Sequence, residues 1–267
     1  MAQSQIKVSA ITAFSDNYIW LISSSKTDEI SLVDPGDANV CIDYIKKHNL
    51  KLSSILITHH HADHVGGVTK LAKYCQQRDW PLTVYGPAQE SIPARDIARS
   101  NGNQVELSAL ETQFSIIDLP GHTSGHIAYY NQNEDILFCG DTLFSAGCGR
   151  LFEGTPKQMH TSLKKLAALP ERTKVYCAHE YTLANLNFAL AVEPDNEELI
   201  HYYNQVTQLR HKGKASIPSS IAREKHINPF LRSHISQVQQ SAREYAKQTN
   251  INELDAFTIL RRWKDTF

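Results

Sequence analysis

The sequence predicts a layered α/β fold followed by an all-helical C-terminal segment. Three observations lead there: short apolar or β-branched runs recur through the first two-thirds of the 267 residues, helical periodicities lie between them, and strand-like runs stop after about Tyr181. The strand-type runs cover 18–22, 30–33, 55–57, 82–85, 114–119, 127–130, 136–139 and 174–177. Many are bounded by Gly, Pro, Asn or Asp, as strands usually are. Helical patterns fall at 38–48, 65–77 and 156–169, and in the last of these Met159, Leu163 and Leu166 share one face. Strands interleaved with helices indicate layers. Beyond Tyr181, helices are expected at 183–192, 195–212, 233–248 and 253–263. Asp195 is placed to cap the second of these, with Pro194 just outside it, and 213–220, which contains Pro218, reads as a loop. The expected domains are 1–181 and 182–267.

Composition narrows the function classes. The chain is 41% hydrophobic and 21% charged, ordinary for a globular protein. With 27 basic and 28 acidic side chains the net charge is −1, which argues against a protein that works by blanketing phosphates. No apolar run approaches the roughly 20 residues a membrane helix needs, and no apolar stretch follows a basic start at the N-terminus. Neither nucleic acid nor membrane is expected as a partner. Cys41, Cys75, Cys139, Cys148 and Cys177 are odd in number and widely spaced, which speaks for a reducing cytoplasm and against a disulfide scaffold. Each reads as a small buried apolar residue. Histidine stands out, with 13 residues, three of them consecutive.

Those three open the central motif. An apolar run, Ile55-Leu56-Ile57, gives way to Thr58-His59-His60-His61-Ala62-Asp63-His64. If extended geometry persists, His59 and His61 face one side and His60 the other. Imidazoles and a carboxylate this close together suit zinc, iron or manganese. Asp63, beside two candidate ligands, suits either direct ligation or orienting a neighbour. Three further strand-type runs end in ligand-type residues: Gly121-His122-Thr123-Ser124-Gly125-His126, Gly140-Asp141-Thr142 and Ala178-His179-Glu180. Taken singly, His122 and His179 read as loop residues and Asp141 as a turn residue. Beside the His-x-His-x-Asp-His cluster they read as further ligands, with His126 a structural residue or a donor behind the ligands.

The cluster and these three segments, in this order, resemble the metallo-β-lactamase superfamily. Asp16-Asn17-Tyr18, Asp34-Pro35-Gly36, Gly147-Cys148-Gly149-Arg150, Asn228-Pro229-Phe230-Leu231-Arg232 and Arg261-Arg262-Trp263-Lys264-Asp265 extend the resemblance to the glyoxalase II, or hydroxyacylglutathione hydrolase, branch. The resemblance implies an αββα sandwich in 1–181 and a helical glutathione-binding domain in 182–267. It implies two divalent metals per chain, zinc being expected and iron or manganese compatible. His59, His61 and His122 would hold one, Asp63, His64 and His179 the other, with Asp141 bridging. It further implies a monomeric hydrolase acting on S-(R)-lactoylglutathione and related 2-hydroxyacyl thioesters, the second step of methylglyoxal detoxification.

The implied chemistry is consistent with the residues. Two close metals acidify a shared water toward neutrality, and Asp63 and Asp141 would flank the resulting hydroxide as the catalytic carboxylates. A thiolate, from a thiol of pKa about 8.5, leaves without a dedicated general acid. Glutathione carries two carboxylates, and the resemblance assigns Arg150, Tyr181, Arg261 and Lys264 to it. Arg261 and Lys264, three apart on an expected helix, also fit a solvated helix end. Phe152 stands where relatives can carry a tyrosine, so it is expected as an apolar contact, and Arg150 replaces a lysine with a different geometry. The rival readings are a β-lactamase, which the want of a visible export signal disfavours, a lactonase or other esterase with the same metals, a nuclease, which the net charge disfavours, an oxidoreductase with one iron, which the complete second ligand set disfavours, and a non-catalytic protein with a degenerate site.

Overall fold

The computed structural model describes residues 6–267. The N-terminal start read above for a signal lies outside these residues over 1–5. The chain divides into two compact units: the part up to Asp118 with Ser124–Gly140, and Leu119–Thr123 with Asp141–Phe267.

In the first unit, β1 (Lys7–Ala13), β2 (Asn17–Ser23) and β3 (Glu29–Val33) form an antiparallel meander. Helix α1 (Ala38–His48) then crosses to β4 (Lys51–Leu56), which pairs with β3 in parallel. Asp37 caps α1 by accepting from the Asn39 N–H, and Asn49 closes it in the left-handed region at φ 51°. After α2 (Ala62–Val65) and α3 (Val68–Gln76), β5 (Thr83–Pro87) and β6 (Ile97–Arg99) continue the sheet in parallel, in the order β1-β2-β3-β4-β5-β6. Ile19, Leu21, Leu32 and Ile55 of the sheet share one apolar core with Ile45 of α1 and Leu71 of α3. β2 and β3 are buried on both faces, which is why they read as near-continuous apolar runs.

A second sheet of this unit is an antiparallel series, β7 (Gln104–Leu107), β8 (Thr112–Asp118), β9 (Ile127–Asn131) and β10 (Ile136–Gly140). The two sheets are tied at one point. Tyr129, fully buried on β9, donates its hydroxyl to the Ile57 carbonyl at 2.8 Å, and the Ile127 N–H donates to the Thr58 carbonyl at 3.0 Å. The tie sits immediately before the histidine cluster.

The second unit begins with a short hairpin, β11 (Leu143–Phe144) and β12 (Gly147–Cys148). Helix α4 (Pro156–Ala167) starts from a capping box between Thr155 and Gln158, with Pro156 in its first turn. Strand β13 (Lys174–Cys177) precedes the helices α5 (Thr182–Val192) and α6 (Glu197–His211); β14 (Ser219–Ser220) pairs antiparallel with β13 and leads into α7 (Ile221–Ile227), α8 (Ser236–Ala246) and α9 (Glu253–Asp265). Leu186 and Ala189 of α5 pack with Leu199, Tyr202 and Val206 of α6 and Ile227 of α7.

The structure corrects several expectations. The helix read as 65–77 starts only at Val68, Val65 being the last residue of the short α2, because the Gly67 N–H turns aside to the Pro35 carbonyl at 3.0 Å. Asn196, not Asp195, caps α6, accepting from the Leu199 N–H at 3.2 Å. The expected loop 213–220 ends in β14, and α7 follows it; two serines and a seven-residue helix carry too little periodicity to be read. Among the described residues no helix is long and apolar enough to cross a membrane, and all five cysteines are buried.

Replacing Tyr129 by Phe strands the buried Ile57 carbonyl. The expected loss is about 1–2 kcal/mol of unfolding free energy, checked by urea denaturation.

Candidate metal centre

In the first unit the ligand-type residues follow the end of β4. His59 and His64 are fully buried, with rings 4.0 Å apart. Nε2 of His59 lies 3.1 Å from Nδ1 of His61, and Nε2 of His64 lies 3.5 Å from Oδ2 of Asp63. Asp34, just past β3, organises this group. Its carboxylate accepts the Thr58 N–H at 2.8 Å and the Thr58 hydroxyl at 2.7 Å, and lies 3.0 Å from Nδ1 of His64. With its own proton committed to Asp34, the Thr58 oxygen accepts from Nδ1 of His59 at 3.0 Å. That bond puts the His59 proton on Nδ1 and leaves Nε2 as the lone-pair nitrogen. Asn17 donates to Oδ2 of Asp63 at 3.0 Å. His126, also buried, stacks on His59 at 4.8 Å, a packing contact rather than a ligand position.

Gly36 makes this arrangement possible. A Cβ there would fall 1.8 Å from the Asp63 carbonyl oxygen, so the turn after β3 and the turn bearing Asp63 touch through backbone alone.

The second unit carries His122, Asp141 and His179, all buried. Nδ1 of His122 donates to the Arg150 carbonyl at 2.8 Å, since a carbonyl can only accept. In the neutral ring Nε2 is then a lone-pair atom, and it faces Oδ2 of Asp141 at 3.5 Å. Nε2 of His179 faces the same oxygen at 3.3 Å. A lone pair set against a carboxylate oxygen in a buried place is unfavourable unless a cation lies near. Nitrogen and oxygen donors with no thiolate, with the far ring nitrogens of His59 and His122 tied to protein oxygens, are what a divalent ion requires. The donor types of these residues therefore fit a divalent ion.

Beside His122 and Asp141, within the second unit, lies a cavity of about 470 Å³. Its walls carry Arg150, Arg261 and Lys264, and also Phe144, Phe152 and Tyr181. Tyr181 stacks on His179 at 4.7 Å with a 4° tilt, and Phe152, 63% exposed, stands edge-on to His122 at 5.3 Å. Arg261 is 4% exposed and donates to the Cys148 carbonyl at 2.8 Å and to Asp265 at 3.0 Å, so it acts here as a buried charge rather than as a row of open donors. Lys264 donates to the Ala184 carbonyl at 3.1 Å. Burial, and next the Arg261 charge, push its pKa down to about 8. The Arg150 side chain is largely exposed and approaches Asp265 at 3.8 Å.

Sequence reading placed the ligand-type residues but gave no role to Asp34, Asn17 or Cys148. For Asp34 a signal existed: it ends an apolar run that must pair beside the run leading into the histidines.

Replacing Asp34 by Ala is expected to weaken divalent-metal affinity tenfold to a hundredfold by freeing Thr58 and His64. Competition against a chelating dye measures this on the folded variant.

Comparison with known proteins places the chain. Residues 14–179 match the model of the metallo-beta-lactamase superfamily, and residues 180–267 match that of the hydroxyacylglutathione hydrolase C-terminus. The hydroxyacylglutathione hydrolase of Shewanella baltica is 50% identical over 98% of this chain and all of its own length. That of Pseudomonas aeruginosa is 51% identical, with the same coverage. Among solved structures, ETHE1 from Myxococcus xanthus shares the fold at a TM-score of 0.64 and 24% identity, covering 97% of this chain and 99% of its own. The fold is thus the expected metallo-β-lactamase α/β sandwich with a helical C-terminal region, and the family is one of divalent-metal proteins. With lone-pair nitrogens and carboxylates facing each other in both units, and matches end to end, the chain belongs to the hydroxyacylglutathione hydrolase family of the metallo-β-lactamase superfamily.

Proposed function

We propose that the protein hydrolyses S-(R)-lactoylglutathione, and related 2-hydroxyacyl thioesters, to glutathione and the free hydroxy acid. One observation carries the reading: in the second unit, a single cavity is lined both by His122 and Asp141 and by three cations, Arg150, Arg261 and Lys264. A substrate with an anionic tail and a reactive carbonyl needs that pairing. The relatives carry the name hydroxyacylglutathione hydrolase, which supports the choice of tail.

In this reading His59, His61 and His122 would hold one ion and Asp63, His64 and His179 the other, with Asp141 shared between the two sets. Zinc is the ion proposed, on the imidazole and carboxylate donors. When bound, the pair of ions supplies a hydroxide at neutral pH and a Lewis acid for the carbonyl. The protein's own residues do the rest. Asp34 and Thr58 fix the tautomer of His59, and the Arg150 carbonyl fixes that of His122. Asn17 orients Asp63. The cations of the cavity take the glutathione carboxylates, Tyr181 gives the peptide a face, and Phe152 offers an apolar edge where a hydroxyl would otherwise bond. The departing thiolate needs no proton donor. Residues 1–181 serve as the metal-binding catalytic domain and 182–267 as the substrate-binding domain, in a cytoplasmic monomer.

The test follows loss of thioester absorbance with S-(R)-lactoylglutathione while counting metals in the same sample. Turnover with about two zinc ions per chain, lost in His59→Ala, supports the reading; two ions without thioester cleavage sinks it and turns attention to lactones.

The Lys264 ammonium sets a pH dependence. Its pKa, near 8 in the folded protein, keeps it charged at pH 7 and neutral at pH 9. Affinity for the anionic substrate should therefore fall as pH rises through 8. A KM that climbs between pH 7 and 9 in the native protein and stays level in Lys264→Met is the expected outcome.

A further inference from the structure

The segment Asn228-Pro229-Phe230-Leu231-Arg232 has no place in the chemistry above, yet Asn228 is fully buried and every polar atom of its side chain is engaged. Its amide nitrogen donates to the Phe144 carbonyl at 3.2 Å, the Gly147 carbonyl at 2.9 Å and Oε2 of Glu224 at 2.9 Å; its oxygen accepts the Phe230 N–H at 3.0 Å. Oε2 of Glu224 also accepts the Ala146 N–H at 2.8 Å, and Oε1 accepts the Ser219 hydroxyl. Asn185 of α5 donates to the Ser145 carbonyl at 3.1 Å. The turn between β11 and β12 is therefore held across Phe144, Ser145, Ala146 and Gly147 by three buried side chains. The turn is itself buried, so the peptide groups left over from its two-strand pairing need such partners. At the far end of the segment, Arg232 forms a two-pronged ion pair with buried Glu193 at 2.8 and 2.9 Å, fixing the segment against the end of α5.

The clamped hairpin has two outputs. Phe144 stands edge-on to Tyr181 at 5.4 Å and to His179 at 5.9 Å. The Cys148 carbonyl accepts from Arg261. Both face the cavity. We propose that Asn228 is a positioning residue for substrate specificity: by clamping the β11–β12 hairpin it sets the aromatic wall and the Arg261 guanidinium that receive the tripeptide, without touching substrate. The proposal rests on the thioesterase reading above.

The experiment uses the full-length, zinc-loaded protein and its Asn228→Ala variant, with Asn228→Ser as a milder second. Two substrates are compared: S-(R)-lactoylglutathione, and the lactoyl thioester of N-acetylcysteamine, which lacks the glutamyl and glycyl ends. The variant should raise KM for the glutathione thioester about tenfold, the equivalent of one buried hydrogen bond, with kcat and zinc content held and kcat/KM for the short thioester unchanged. A second readout is local. Cys148 lies on the clamped hairpin, whereas Cys41, Cys75, Cys139 and Cys177 lie elsewhere, all buried. Maleimide labelling read by mass spectrometry should increase at Cys148 alone. An equal loss with both substrates, labelling at all five cysteines in both variants, or labelling at Cys148 with KM unmoved overturns the positioning role. A native protein that cleaves the short thioester but gains nothing from the glutathione end overturns the substrate reading itself, and the labelling then reports on the clamp separately.

Discussion

A neutral imidazole has one nitrogen that donates and one that accepts, and much of this protein decides which is which. Nδ1 of His59 is committed to a threonine hydroxyl that is itself committed to Asp34, and Nδ1 of His122 is committed to a backbone carbonyl. What remains in each ring is a lone pair aimed inward, near other lone pairs and carboxylates. Such a set is poorly stable on its own and well suited to a cation. The outer bonds to Asp34, Thr58 and the Arg150 carbonyl hold the rings in that state, and they are built into strand ends and turns rather than into flexible side chains.

The second constraint is the concentration of positive charge in one cavity of the second unit. Arg261 is nearly inaccessible, its terminal nitrogens bonded to a carbonyl and to Asp265 and its Nε left without a partner, while Lys264 is half-buried with a weakened hold on its proton. Two buried cations three residues apart on one helix cost stability unless an anion joins them or a carboxylate compensates. Asp265 compensates Arg261 from within the same helix, and leaves Lys264 as the group whose charge a ligand would restore. A family member selected for a tripeptide with two carboxylates is expected to tolerate that imbalance at its binding site.

The hairpin bearing Phe144 and Cys148 shows how much buried polar structure supports a small apolar wall. Asn185, Glu224 and Asn228 each spend a buried side chain on peptide groups of one turn. Burial raises the pKa of Glu224, and the donors from Ser219, Asn228 and Ala146 oppose that shift.

The alternation of apolar strands with amphipathic helices, the change to helices after Tyr181, and the dense His59–His64 cluster were all legible in the residue order. Each is a local pattern, set by side-chain period or by residues within a few positions of one another. Sequence also placed His122, Asp141 and His179 at the ends of strand-type runs. It could not show that Asp34, 24 residues before Thr58, supplies the bonds that orient His59, because that contact exists only once β3 and β4 pair in parallel. Nor could it show that Asn228 closes a turn 84 residues earlier, or that Arg261 turns inward to the Cys148 carbonyl. Those are satisfactions of buried polar groups, and which group is buried against which is a property of the packed chain. The kinds of atoms available to hold a metal and an anion were written locally; their protonation states, partners and accessibility were decided by the tertiary fold.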